Sequence, residues 1–295
     1  MNHRIGLMTA ACCWALVSVP AARAAAIDQQ VAADPHGIVE ITDTEGVITC
    51  SGWDQAQVAV RGELGPGAER VDVERSGNTV TIKVVRPLKS GVLSGSTRLE
   101  VQLPAASTLH VQAVNASVSV RGLIGELHLQ TVSGEIQTEA AGADLDLKTV
   151  SGAILVRGNN SRVHVSLNTV NGKTRLSNLL GDIDADTVSG DLEATQSAFG
   201  RVRIKSISAG VTLAGRLNPD AHVELSSITG NTQLRWSNAL DANIQIETLG
   251  GEVHTCFANN PAVNGPGSSW RNVNSGAAAE AHVRSLSGST EICNK

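Results

Sequence analysis

Thr131-Val132-Ser133-Gly134, Thr149-Val150-Ser151-Gly152, Thr169-Val170-Asn171-Gly172 and Thr187-Val188-Ser189-Gly190 are four renderings of one phrase. Looser copies sit at Ala113-Val114-Asn115-Ala116, Ser206-Ile207-Ser208-Ala209, Ser227-Ile228-Thr229-Gly230, Thr248-Leu249-Gly250-Gly251 and Ser285-Leu286-Ser287-Gly288. Successive central apolar residues are 18, 18, 20, 18, 19, 21, 21 and 37 positions apart. A near-constant period of this size is the signature of a solenoid, whose repeats bury their apolar faces only by stacking.

Aligned on that central residue, every copy follows one template. Apolar positions fall five and three residues before it, as in Leu127/Leu129, Leu145/Leu147 and Val223/Leu225. A second pair falls four and six residues after it, as in Val118/Val120, Ile154/Val156 and Val211/Leu213. Alternation with period 2 on both sides means two strands per coil, each with one inward face. The parity slips at the phrase, so the chain turns a corner there. Nothing recurs at 3.6, which excludes helix. The residue two past the centre is always Gly or Ala, so the corner has no room for a larger side chain. Its Ser, Thr and Asn neighbours, stacked at about the 4.8 Å strand spacing, predict hydroxyl and amide ladders. Outward positions pair opposite charges on adjacent coils: Asp184 with Arg203, Asp186 with Lys205, Asp182 with Arg201, and Glu247 with Arg284.

The expected fold is therefore all-β: a single-stranded parallel β-solenoid, or β-helix, right-handed, with about nine coils of 18–21 residues. Residues 25–106 precede the regular period and read as a small β-rich N-terminal cap. Within it Arg70–Glu74 and Thr79–Val84, joined by Ser76-Gly77-Asn78, read as a hairpin. The solenoid is placed at 107–295, with a Gly/Asn/Pro/Ser-rich loop insertion at about 257–279 that carries Trp270 and Arg271.

At the N-terminus, Arg4, an apolar run to Val19, Pro20 and the small residues through Ala26 read as a signal peptide over residues 1–24, cleaved after Ala24. A lipoprotein reading through Thr9-Ala10-Ala11-Cys12 leaves almost no apolar segment ahead of the cysteine. No later segment reaches membrane-spanning length, and export to the periplasm or the exterior of a bacterial envelope is expected. Cleavage removes Arg4 and Arg23 from the 23 basic residues, leaving 21 against 28 acidic, a net −7. A mildly acidic surface without a basic block argues against nucleic acid. With no Tyr, two Phe and four Trp, the core must rest on small aliphatic contacts. Cys50, Cys256 and Cys293 remain after cleavage, so one pair and one leftover are expected. Cys256 and Cys293 both lie seven residues past their central apolar residue. The same phase on neighbouring coils puts their Cα atoms near 5 Å apart, within disulfide range.

Chemistry is sparse. His110, His128 and Asp146 share one outward row and resemble a His-His-Asp metal site. Three side chains leaving a flat sheet converge poorly on one ion, so the row is read as an exposed polar stripe. His254 lies two residues from Cys256, but the disulfide leaves no thiolate for catalysis. No phosphate-binding loop, nucleophile elbow, zinc-protease helix or calcium nonapeptide occurs. No catalytic residue, metal or cofactor is assigned.

Gly46-Val47-Ile48-Thr49-Cys50-Ser51-Gly52-Trp53-Asp54, then Val58-Ala59-Val60-Arg61-Gly62, resembles the opening of the DUF4097-type "putative adhesin" β-strand-repeat proteins. The repeated T-V-S-G phrase and Leu99-x-Val101-x-Leu103-Pro104 fit the same family over nearly the whole mature chain. The resemblance implies an exported β-solenoid without established enzymatic activity, and no functional residues to carry over. The expected function is a non-enzymatic envelope protein, an adhesin or binding scaffold, with the 257–279 loop (Trp270, Arg271) and the N-terminal cap as contact points. Its partner would be an envelope or surface protein or polysaccharide, and the chain a monomer or weak end-to-end assembly. A carbohydrate-active β-helix enzyme, lyase or glycosidase, is the alternative; a cleft with paired carboxylates and an exposed Trp would favour it.

Overall fold

The computed structural model describes residues 26–87, 96–257, 267–274 and 276–294. The expected signal peptide, most of the loop between Pro87 and Thr97, and residues 258–266 of the expected insertion lie outside them. The described chain is all-β, with 22 strands in one mostly parallel sheet and a single 3-10 turn at Ala239–Asp241.

The alternation read from the sequence sets the stacking. Leu127–Thr131 lies between Thr108–Arg121 and Leu145–Thr149, with Leu127 beside Leu109 and Leu145. On the other wall Ile136–Ala140 lies between Thr108–Arg121 and Ile154–Gly158, with Ile136 beside Val118 and Ile154. Leu127, Leu129, Ile136 and Thr138 are all at most 2% exposed. Each fully buried aliphatic side chain stabilises by about 1.5–3 kcal/mol, so the core gains from many small contributions along the stack. Where Leu192–Ser206 and Val211–Ser227 run long and their register shifts, larger side chains fill the widened interior: Phe199, Leu217 and Trp236.

Both ends depart from sequence order. The strand Ile38–Trp53 pairs in register with Thr108–Arg121 on one side, Ile41 opposite Val111 and Cys50 opposite Val120. On its other side it pairs with Thr79–Val85 and then Thr97–Pro104. A rung made of residues 38–53 is thus wedged between rungs 79–104 and 108–121. The C-terminal end repeats the device. Glu280–Ser285 and Thr290–Cys293 lie between the 222–236 rung and the Asn243–Thr255 rung, with Val283 flanked by Leu225 and Ile246.

A rung begins at Ile38, and one apolar core runs through from Ile27 to Ile292. Its corner, Asp43-Thr44-Glu45-Gly46, lacks the aliphatic centre of the phrase, and residues 54–107 separate it from the next copy.

Antiparallel strands close the ends. Gln57–Glu63 covers the edge of Thr97–Pro104, Ala26–Ala32 covers Gln57–Glu63, and Arg70–Ser76 forms the expected hairpin with Thr79–Val85. At the other end Ser269–Asn272 pairs antiparallel with Asn243–Thr248. Covering an edge removes the open row of N–H and C=O groups that would template aggregation.

Candidate functional site

The corner is built by short polar side chains. The Oγ1 of Thr131, Thr149, Thr169 and Thr248 accepts the backbone N–H three residues on, at 2.9–3.0 Å; Ser206, Ser227 and Ser285 do the same at 2.9–3.1 Å. These residues are buried and fix the turn from inside. The next ladder faces outward: Ser151, Ser189, Ser208 and Ser287 donate to the carbonyl of the preceding rung's Val132, Val170, Val188 and Ile228 at 3.2–3.3 Å. A Cβ on Gly152 would lie 1.9 Å from the carbonyl oxygen of Gly134, so backbone proximity dictates glycine there.

The central residue of the phrase points out. Val114, Val132, Val150, Val170, Val188, Ile207, Ile228, Leu286 and Leu249 are 38–67% exposed and form one aliphatic row along the corner. Beside it runs a groove of about 480 Å³ with Thr131, Thr149, Thr169 and Thr187 in its lining and Lys148, Asp186 and Lys205 along its flank. The parity slip was legible in the sequence; that it turns the centre outward was not, because Val reads as core by type.

Two of the four charge pairs read from the spacing close side chain to side chain. Arg203 meets Asp184 at 2.7 Å and Arg284 meets Glu247 at 3.8 Å; the Arg201 backbone N–H donates to Asp182 at 2.7 Å, and Asp186 lies opposite Lys205. Such exposed pairs contribute about 0–1 kcal/mol each and serve register more than stability. On another wall a recess of about 390 Å³ is lined by Arg121, Glu139, Arg157, Arg175 and Glu193, with Arg175 bonded to Glu193 at 3.1 Å.

His110 and His128 meet edge to face with centroids 4.7 Å apart, and His128 lies 3.6 Å from Asp146 and 3.8 Å from Glu126. Among the described residues the group close enough to hold an ion is Cys256, Glu291 and Cys293, and its two sulfurs are joined to each other. The Cys256–Cys293 disulfide forms as the shared phase predicts, with Cα atoms 4.9 Å apart. His254 beside it pairs with Glu252 at 3.1 Å. Among the described residues Cys50 is the free thiol; burial pushes its pKa up to about 12, so it stays protonated and inert.

Trp270 is not the exposed contact residue that the loop reading expected. It is 3% exposed, sits opposite Ile246 and stacks on Phe257 with centroids 5.6 Å apart, because the end of the core needs a large apolar lid. Arg271, one position on, faces solvent and reaches Gln245 at 3.3 Å.

One polar site went unseen in the sequence. Asp43 occupies the corner place that Thr holds elsewhere, is fully buried, and meets Arg86 at 3.3 Å. Burial raises its pKa, opposed by hydrogen bonds from the Glu45 and Thr44 backbone and by the Arg86 charge. Arg86 also bonds the Glu45 carbonyl, tying the strand ending at Val85 to the wedged rung.

An all-β stack of parallel rungs with a hydroxyl-lined corner defines a class of repeat protein. The chain belongs to the Toastrack DUF4097 family, whose model matches residues 38–255. The matched span starts at the first residue of the wedged rung. No curated protein sequence matches the chain. Solved structures of bacterial proteins resemble it, three of them as follows. A "putative cell adhesion protein" of Clostridium sporogenes is 11% identical, covering 92% of this chain and 100% of that one, with a TM-score of 0.27. A "putative adhesin" of Bacteroides fragilis is 11% identical over 92% and 97% of the two chains, with a TM-score of 0.36. Another from Parabacteroides distasonis is 12% identical over 92% and 98%, with a TM-score of 0.34.

Proposed function

We propose that the chain is an exported, non-enzymatic scaffold of the cell envelope, an adhesin or binding rod, resident in the periplasm or outside the cell. The observation that carries this reading is the Cys256–Cys293 disulfide on a regular stack whose outward strand columns are polar apart from the aliphatic row at the corner. Disulfides persist in oxidising compartments, and a rigid stack presents repeated side-chain columns without needing a catalytic cleft. No helix among the described residues is long and apolar enough to cross a membrane. We read the winding as right-handed with about nine regular coils. The partner on this reading is a surface protein or polysaccharide, met through the outward columns rather than through Trp270.

Cell fractionation tests it. The expected result is tagged protein in the envelope or medium, with residues 1–24 removed and Cys256 bonded to Cys293. Cytosolic protein with both thiols free would overturn export. Turnover of an envelope polysaccharide, abolished by Glu139→Gln or Glu193→Gln, would replace the scaffold reading with an enzymatic one.

A further inference from the structure

We propose that the aliphatic row along the corner is a self-association face, on which a second copy of this chain packs antiparallel about a two-fold axis at the rung of Asn168 and Val170. This goes beyond the scaffold reading and does not depend on the compartment.

Among the described residues the row gathers nine of the twelve exposed large hydrophobic side chains. From Val114 to Ile228 every central side chain is Val or Ile and 38–48% exposed. Together they expose on the order of 500 Å², toward the upper end of the roughly 300–600 Å² typical of a monomer's largest apolar patch, which is often functional. With the flanking polar columns the face approaches the roughly 800 Å² that each partner gives to a standard interface. A solvated corner has no need of aliphatic side chains, and the adjacent outward position is filled by Ser, Asn or Thr throughout this span. A straight row with one repeat spacing is matched along its length only by a surface with the same spacing. A second copy supplies that surface.

Charge selects the orientation. The column flanking the groove reads Gln130, Lys148, Asn168, Asp186, Lys205 in stacking order. A two-fold axis lying across the rods in the interface reverses that order in the partner. With Asn168 on the axis, Lys148, which bonds Asp146 of its own chain at 2.7 Å, faces Asp186 twice, Gln130 faces Lys205 twice, and within this column no like charges meet. One rung further out Gln112 faces Ser226, again without conflict. The column on the row's other side is Ser133, Ser151, Asn171, Ser189 and Ser208, neutral and able to donate or accept from either direction. A lipid surface fits less well: the chain is acidic, net −5, and the row carries no aromatic anchor.

Sedimentation equilibrium on the intact protein reads the outcome. A dimer is expected at about 50 µM, with a dissociation constant in the micromolar range. Val170→Lys alters an exposed side chain and should leave the circular dichroism unchanged while shifting the protein to monomer. Lys148→Asp or Asp186→Lys alone should weaken the dimer about tenfold, and the two together should restore it to within about threefold. Asn168→Cys should cross-link to itself under mild oxidation, whereas Ser226→Cys should not. A monomer at 50 µM overturns the proposal, including one that binds phosphatidylcholine–phosphatidylglycerol vesicles through the row. So does a dimer indifferent to Val170→Lys, or a double charge exchange that fails to recover.

Discussion

Gln196 sits at φ 53°, in the left-handed region that Asn160 at 69° and Asn178 at 55° also occupy. Asn tolerates that conformation through local hydrogen bonding; Gln has less to gain there, and the strain costs of order 1 kcal/mol. Gln196→Gly should therefore raise stability by about 0.5–1 kcal/mol, part of the relief being offset by the entropy of the freer unfolded chain. Urea denaturation would show it as a higher midpoint at unchanged slope. Asp43 yields a prediction of opposite character. Its carboxyl holds a proton to higher pH in the folded chain than in the unfolded one, because burial outweighs Arg86 and the backbone donors. Its contribution is thus fully present below the ordinary value of 3.8 and is lost as pH climbs through the raised folded value. Against an Asp43→Asn variant, which cannot titrate, the native protein should lose relative stability from about pH 4 upward and then level off. Denaturation midpoints of both proteins across pH 3–7 check the sign. Neither residue was legible as special in the sequence, since Gln196 breaks no alternation and Asp43 lies outside the recurring phrase.

At the level of strands and corners, the disulfide and the charged pairs were legible because they follow from phase alone. Cys256 and Cys293 share a phase, as do Glu247 and Arg284, and sharing it brings them together on whichever rungs are neighbours. The neighbour itself was not legible. Identical spacing cannot tell whether the 222–236 rung is followed by 243–255 or by 280–293, and the latter is found. Burial of Trp270 escaped for a related reason: a Gly- and Asn-rich surrounding reads as loop, whereas the pairing with Ile246 makes a lid. Truncation after Ala279 should consequently unseat residues 237–279 as well, because the 243–255 rung pairs in parallel with the deleted segment. Limited proteolysis should cut within 237–279 while residues 108–236 remain protected. Replacing both Cys256 and Cys293 by Ser should cost about 4 kcal/mol, the loop-closure scale for a separation of 37 residues.

Across the whole molecule, one apolar core runs from the first described strand to the last, and Cys50 lies in it with no exposed surface. Its rung is covered on both sides, so its thiol reports the opening of the stack rather than a local breath. Alkylation of Cys50 at neutral pH should be undetectable in the folded protein and should rise with the global urea transition, not before it. A reagent that labels Cys50 well below the transition midpoint would show that the N-terminal rungs melt on their own.

Rods made of stacked repeats ordinarily fray from their tips, since the outermost unit holds on by a single contact and also carries the loose tail of the polypeptide. Here each tip is a loop-tethered segment, while the first and last long stretches of backbone are gripped from above and below one layer further in. A pull on the carboxyl tail therefore loads two interfaces and a sulfur bridge at once, and shears a layer out sideways instead of peeling it away. That is the difference between a zip and a rivet.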